Sequence, residues 1–171
     1  MDILKIIVDK LSQYNFLTNI IPGSVLCIIL KYVAEVDLIP KEAYSAGIVF
    51  YFAGLVNGRV GSLVVEKLLK KWKIVVFAPY NDFIDAEKKD NKLTILSQEN
   101  NTYRAYISVS LISLVSFLIL LFLGKYKILS CPDIIERVAL LVSLLALFLF
   151  SYRKQTNYVR KRVEKNVKTA R

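Results

Sequence analysis

The chain has 171 residues, 55% of them hydrophobic, and a net charge of +10, with a mean hydropathy of +0.45. It contains no histidine, which excludes Ser-His and Cys-His catalysis and any metal site that needs a histidine ligand. Its two cysteines are too few for a disulfide framework. Because the apolar residues come in long blocks flanked by basic ones, we expect an all-α polytopic membrane protein with four transmembrane helices and a small cytoplasmic helical segment.

The first segment, residues 1–15, is amphipathic. Its apolar side chains fall on one helical face and its lysines and aspartates on the other, which predicts a helix lying along the membrane surface. The same pattern also fits an N-terminal extension of the first span. A signal peptide is disfavoured, because no small-x-small cleavage site follows the apolar block.

Residues 16–69 are predicted to form a transmembrane hairpin of spans 1 and 2. The first span, Phe16 to Val36, begins with 15 uncharged residues, which make about 22 Å of helix. Pro22 either kinks this helix or begins it. A short link follows, so the second span, Tyr44 to Leu69, must return antiparallel beside the first.

The second span carries four glycines spaced by seven and by four residues. Small residues at helical spacing let two helices approach closely, and such packing drives association in lipid. This face therefore either joins the subunits of a homo-oligomer or receives another helix of the same chain. The four residues are Gly47, Gly54, Gly58 and Gly61.

Asn57, Arg59 and Glu66 place polar groups inside the same span. Ionisable side chains are rare in spans and mark buried or water-lined positions. Arg59 has three interpretations: it reaches the headgroups, it forms a buried ion pair with Glu66 or Glu35, or it lines a pore or substrate path. A polar path along Asn57, Arg59 and Glu66 would make the protein a small ion channel or transporter.

Residues 70–104 are the only sizeable polar segment, and their pattern predicts two short amphipathic helices meeting near Asp90-Asn91. Asn81, Asp82 and Asp85 match the start of the Asn-Asp-x-x-Asp-x-x-x-Asp motif with which intramembrane prenyltransferases hold magnesium diphosphate. Asp90 comes one residue late and turns off the ligand face. An acidic helix start that complements the helix dipole explains these residues better, so we expect no metal, no cofactor and no enzymatic activity.

Residues 105–152 are predicted to form a second transmembrane hairpin, of spans 3 and 4. Its first helix, Ala105 to Gly124, has twenty residues without a charge. The fourth span runs from about Ile134 to Tyr152.

The tail, residues 153–171, is strongly basic and is predicted to begin as a helical continuation of the fourth span and then to fray. Anionic lipid headgroups explain its charge, at about 1 kcal/mol for each cation near the surface. Contact with RNA or DNA is the alternative, with Tyr152 and Tyr158 stacking on bases. The predicted headgroup-binding residues are Arg153, Lys154, Arg160, Lys161 and Arg162.

The distribution of lysine and arginine predicts the topology. The stretch from Lys67 to Arg104 and the tail each hold eight, whereas the two links on the other side hold only Lys41, Lys125 and Lys127. The positive-inside rule therefore places both termini and the polar segment in the cytoplasm, with the spans in a bacterial inner membrane.

This layout, together with Asn15-Phe-Leu-Thr-Asn-Ile-Ile-Pro-Gly23 and Gly58-Arg-Val-Gly-Ser62, resembles small membrane proteins encoded in bacterial antiviral defence loci, of which the membrane subunit of the Kiwa system is one kind. The resemblance is one of architecture and covers most of the chain. It implies a membrane-anchored sensor or effector that works with a soluble cytoplasmic partner. The expected function is thus that of a non-enzymatic, oligomeric membrane subunit.

Overall fold

The computed structural model describes residues 16–124 and 131–168, which form five helices and no strand. The predicted interfacial helix at residues 1–15 lies outside the described residues. Helix α1 consists of a π-helical turn, Phe16–Ile20, and Ile21–Val33; α2 is Ala43–Lys71, with a π-helical turn at Gly61–Val65; α3 is Tyr80–Glu87; α4 is Lys92–Phe122; and α5 is Cys131–Lys168.

Helices α2, α4 and α5 are each long and apolar enough to cross a membrane. The apolar helix in α1, Thr18–Val33, is shorter. It ends before the predicted Val36 because the chain turns through Glu35, whose φ of 53° lies in the left-handed region and does not continue a helix. The all-helical prediction is confirmed, and three of the four predicted spans correspond to long apolar helices.

The polar segment differs from the prediction in one respect. Helix α3 is a separate short helix, but the second amphipathic helix predicted there is the beginning of α4, which continues without a break to Phe122. No glycine or proline lies within α4 to interrupt it. Helix α5 likewise runs from the apolar segment through the basic tail to Lys168, as the predicted helical continuation requires, and the predicted fraying does not occur before that residue.

Three clusters of buried side chains hold α4 and α5 against each other and against one further element. The first joins them to α1, the second to α2 and the chain that follows it, and the third to α3. Their buried members are, in turn, Leu26, Leu30, Val33, Ala34, Val109, Phe117 and Leu141; Val65, Leu69, Val75, Ile107 and Tyr152; and Ala86, Leu93 and Val163.

Candidate functional site

The polar ends of three helices pack together into a unit that we call the polar module. It comprises α3, residues 92–104 of α4 and residues 153–168 of α5. Ala86, Leu93 and Val163 form its small core, one from each helix. Thr156 Oγ1 also donates a buried hydrogen bond to Asn100 Oδ1 at 2.9 Å, so α4 and α5 stay in register beyond their apolar segments.

Asp90 fastens the turn between α3 and α4 to α5. Arg162 donates to both carboxylate oxygens of Asp90, from Nε at 2.5 Å and from Nη2 at 3.1 Å, and Asn166 Nδ2 donates to Oδ2 at 3.2 Å. Such a charge-assisted, two-pronged contact fixes geometry as well as charge. It lowers the pKa of Asp90 to about 2, with the hydrogen bond from Arg162 as the largest cause. Arg162, expected at lipid headgroups, therefore has Asp90 as its partner in this structure.

The other members of the acidic motif lie on α3 and do not converge with Asp90. Asp85 forms an exposed ion pair with Lys88 at 3.2 Å. Asp82 lies in the first turn of α3, where a negative charge complements the helix dipole. Among the described residues, no group of three or more aspartate, glutamate or cysteine side chains is placed to hold a metal ion.

A strap of residues 72–79 connects α2 to α3 and lies against α5. It begins with a cap in which the Lys73 N–H donates to Lys70 O at 3.0 Å and the Ile74 N–H to Leu69 O at 2.9 Å. These two bonds define the Schellman motif, in which glycine usually fills the left-handed position. Here that position belongs to Lys73, with a φ of 56°.

Two side chains of the strap, Val75 and Phe77, hold it in place beyond this cap. The Val75 side chain is buried in the cluster that contains Tyr152. The Phe77 ring lies edge-on to the Tyr152 ring, with centroids 6.5 Å apart, and the Lys70 ammonium stands over the Phe77 ring at 4.5 Å. The strap is therefore fixed to the part of α5 where the apolar segment ends.

The strap and α5 border an open cavity of about 510 Å³, which we call the strap cavity. Four cationic side chains line it, and no carboxylate does. Three of them, Arg153, Lys154 and Arg160, are among the predicted headgroup-binding residues. The full lining is Lys73, Ile74, Val75, Val76, Phe150, Arg153, Lys154, Asn157 and Arg160.

The cations of the strap cavity have little local compensation. Arg160 is 3.6 Å from Glu164 across an ion pair, and its Nε is buried without a hydrogen-bond acceptor among the described residues. Within residues 16–124 and 131–168, no carboxylate forms an ion pair with Lys73, Arg153 or Lys154. Lys161, also predicted to bind headgroups, lies outside this cavity on other faces of α5. Chemically, the strap cavity can bind an anion.

The polar residues of α2 do not share a common path. Asn57 is fully buried between α2 and α4, where its Nδ2 donates to Ala105 O at 3.0 Å and its backbone carbonyl accepts from Ser108 Oγ at 3.0 Å. Glu66 also faces α4, whereas Arg59 is exposed beside apolar side chains on the outer face of α2.

Neither acid that we considered as a partner for Arg59 pairs with it. Glu66 binds Arg104 of α4 and also accepts from Lys70 Nζ at 2.6 Å. Glu35 is bound by Arg137 of α5 at 3.0 Å. Glu66 therefore joins α2 to α4, and Glu35 joins the chain after α1 to α5. Arg104 and Arg137 take the place of Arg59 as the partners of these acids.

The four glycines of α2 have different surroundings. A Cβ at Gly54 would lie closer than 3.0 Å to the backbone of α1, and one at Gly61 would meet α4 at 3.5 Å. At Gly47 and Gly58 a Cβ would meet nothing within 4 Å. Half of the glycine face is therefore occupied by helices of the same chain.

Sequence reasoning missed Lys73 and the strap. The Lys-Trp-Lys sequence around Trp72 marks a membrane interface, but nothing in it reveals a left-handed backbone or a cavity. Comparison with protein-family models, with curated proteins and with solved structures gives no match for this chain. The function must therefore be argued from the geometry.

Proposed function

We propose that the chain is a non-enzymatic integral protein of the bacterial inner membrane that presents the polar module at the cytoplasmic surface to a soluble protein partner. The observation that carries this proposal is the continuity of α4 and α5, with 31 and 38 residues, from their apolar segments into the module. About 20 residues suffice to cross a bilayer. The remaining turns extend the membrane anchor into the aqueous phase, so the module is attached rigidly.

In this proposal α1 also crosses the membrane, as the first of the four spans. Its π-helical turn and α-helix have 5 and 13 residues, together about 27 Å long at roughly 1.5 Å per residue. That length falls slightly short of a hydrocarbon core of about 30 Å, a mismatch that local thinning of the bilayer accommodates at modest cost. Packing of Gly23 against the backbone of α2 supports an antiparallel pair.

The cytoplasmic placement of the module and of both termini is supported by its charge. The strap, the end of α2 and the end of α5 bring the two basic stretches of the sequence to one end of the molecule. An even number of spans returns the chain to the side from which it started. Basic residues are retained on the cytoplasmic side during insertion.

The proposed biological role is that of a sensor or effector subunit in antiviral defence, and it is supported by the architectural resemblance of the sequence. Oligomerisation through α2 is part of this proposal. Gly47 is open, and a separate outer face of α2 exposes Phe52 and Val56, so a second copy has apolar surface on which to pack.

The partner is tested by affinity purification from the native host in mild detergent, followed by mass spectrometry. We expect a soluble protein that is recovered with the wild type and lost with Asp90→Ala, because that change releases α5 from the α3–α4 turn. Asp37→Ala is the matched control, since it removes an acid that pairs with Lys31 at 3.0 Å at the opposite end of the molecule. A partner that is recovered equally with the two variants contradicts the proposal. Failure to recover any soluble protein with the wild type also contradicts it.

The defence role has its own measurement. Cells that carry the chain with its neighbouring genes should plate a panel of phages less efficiently than cells that lack it. Asp90→Ala should restore plating, and Asp37→Ala should not. If every phage plates equally well on cells with and without the wild-type chain, the defence role is contradicted. The partner experiment is not affected by that result.

A further inference from the structure

We infer that the strap cavity is a binding site for one anionic phospholipid, whose phosphate contacts the cations while its acyl chains lie along Phe150 and Val76. The inference rests on the proposed insertion of α2 and α5 into a membrane, and it does not depend on which side is cytoplasmic.

The lining of the strap cavity has an apolar part and a cationic part, which match the acyl chains and the phosphate of a phospholipid. Phe150, at the end of the apolar segment of α5, and Val76, on the strap, are 70% and 51% exposed. Arg153 and Lys154 follow one turn after Phe150, and Arg160 lies two turns beyond them; all three supply positive charge. A single cavity thus offers an apolar wall on the membrane side and cations on the aqueous side. Its volume of about 510 Å³ falls within the range of roughly 300–1,000 Å³ common for small-molecule sites.

The depth of the cavity matches a headgroup. Trp72, at the start of the strap, is 63% exposed and lies among lysines. Tryptophan in membrane proteins prefers the boundary between hydrocarbon and water, so this residue marks the level of the interface. The next residue, Lys73, lines the cavity. A phosphate at this level needs no displacement from its position in the bilayer to reach the cations.

Unmet hydrogen-bonding capacity also indicates an anion. The Arg160 Nε is buried without an acceptor among the described residues. A buried donor without a partner is destabilising, and a phosphate oxygen would satisfy it. Glu164, the nearest carboxylate at 3.6 Å, does not.

Backbone strain at Lys73 provides an independent argument. A residue with a side chain in the left-handed region is strained, and glycine would remove that strain. Strain of this kind persists where a side chain is required for function. At this position the side chain contributes one of the four cations of the cavity.

Fluorescence of Trp72, the single tryptophan of the chain, gives a direct measurement. The full-length protein is reconstituted in phosphatidylcholine vesicles that contain a minor fraction of brominated lipid, either phosphatidylglycerol or phosphatidylcholine. Bromine quenches only from close range, so quenching reports which lipid lies beside Trp72, the residue that precedes Lys73 of the cavity lining. We expect stronger quenching by brominated phosphatidylglycerol than by brominated phosphatidylcholine.

Two charge-matched double variants separate a site from general attraction. Lys73→Gln with Arg153→Gln removes two cations from the cavity, and Lys71→Gln with Lys161→Gln removes two exposed cations outside it. Each cation beside an anionic headgroup is worth about fivefold in binding constant. The cavity pair should therefore lose most of the preference for phosphatidylglycerol, and the outside pair should keep it. Equal loss in both pairs overturns the inference.

Lys73→Gly guards against an effect of misfolding. This variant should unfold at a higher temperature than the wild type, because it removes the left-handed strain, and yet show a reduced preference for phosphatidylglycerol. An unchanged preference overturns the inference. Absence of quenching by either lipid contradicts the proposed membrane insertion itself, so the two failures are distinguishable.

A soluble anion is the other source of the same chemistry. Inorganic pyrophosphate added to the phosphatidylglycerol vesicles should leave the selective quenching unchanged up to millimolar concentration. Relief of quenching by pyrophosphate in the wild type, but not in the cavity double variant, would assign the cavity to a soluble phosphate and overturn the assignment to a lipid.

Discussion

At Gly54 the backbones of α1 and α2 are in direct contact, and the environment of Gly47 on the same helix is open. Gly54→Ala should lower the free energy of unfolding by about 1–3 kcal/mol, because the added methyl group meets the Asn19 backbone, which cannot move aside as a flexible side chain would. Gly47→Ala should be neutral or raise it by up to about 1 kcal/mol, since alanine favours helix more than glycine does. Unfolding in detergent, followed by circular dichroism, measures both; equal effects would contradict the α1–α2 contact.

The ion pair between Glu66 and Arg104 is the second interaction that belongs to single residues. The two side chains are 18% and 20% exposed, so the loss of one leaves a mostly buried charge. A double-mutant cycle of Glu66→Ala and Arg104→Ala should give a coupling energy of about 1–3 kcal/mol. The same cycle with Arg59→Ala in place of Arg104→Ala should give less than about 0.5 kcal/mol. A reversed order of the two couplings would favour the ion pair within α2.

Glu66 shows why the residue scale is the hardest to predict from sequence. Helical spacing brings Arg59 and Glu66 to related positions on one helix, and the sequence contains no information on which helix packs against that face. Arg104 lies 38 residues further along the chain. The apolar blocks predicted that α4 would lie in the membrane, but not the rotation that turns Arg104 toward α2.

Whole elements were easier to predict, because they depend on local chemistry. Long apolar blocks predicted α2, α4 and α5, and the absence of glycine and proline after the first turn explains why α4 and α5 continue into polar sequence. The strap was not predicted, since its cap depends on a left-handed lysine where pattern rules expect glycine. The cavity that it forms was likewise invisible in the sequence.

The contact that joins the α3–α4 turn to α5 depends on the ionisation of Asp90. Its folded pKa of about 2 lies below the ordinary value of 3.8, so its contribution to stability is complete above about pH 4 and is lost as the pH falls through about 2. The melting temperature of the wild type should therefore drop more steeply between pH 4 and pH 2 than that of Asp90→Asn, which lacks the charge throughout. Thermal unfolding across this range measures the difference.

Asp85→Asn is the control for that variant, because Asp85 forms its ion pair with exposed Lys88, directly after its own helix, and not with α5. This variant should keep the wild-type profile between pH 4 and pH 2. Identical profiles for the wild type and Asp90→Asn would show that the contact with Arg162 does not couple to folding.

For the molecule as a whole, the arrangement predicts which residues are accessible from each side of the membrane. In a background of Cys27→Ala and Cys131→Ser, an impermeant maleimide should label Lys41→Cys in intact cells. It should label Lys161→Cys only after the cells are opened, because the proposed topology places the polar module inside. The reverse pattern would invert the proposed topology, and labelling of both positions in intact cells would contradict membrane insertion of α5.

The unbroken course of α5 gives the molecule a mechanical property. Residues 153–168 extend past the apolar segment by about 24 Å, so a change of about 10° in the inclination of the helix displaces its tip by roughly 4 Å. Thinning or thickening of the bilayer alters such inclinations. The hydrogen bonds between Arg162 and Asp90 attach the α3–α4 turn to this tip, so α3 moves with it. In the proposed membrane placement, a deformation of the lipid would therefore reach the aqueous side as a lateral displacement of this tip.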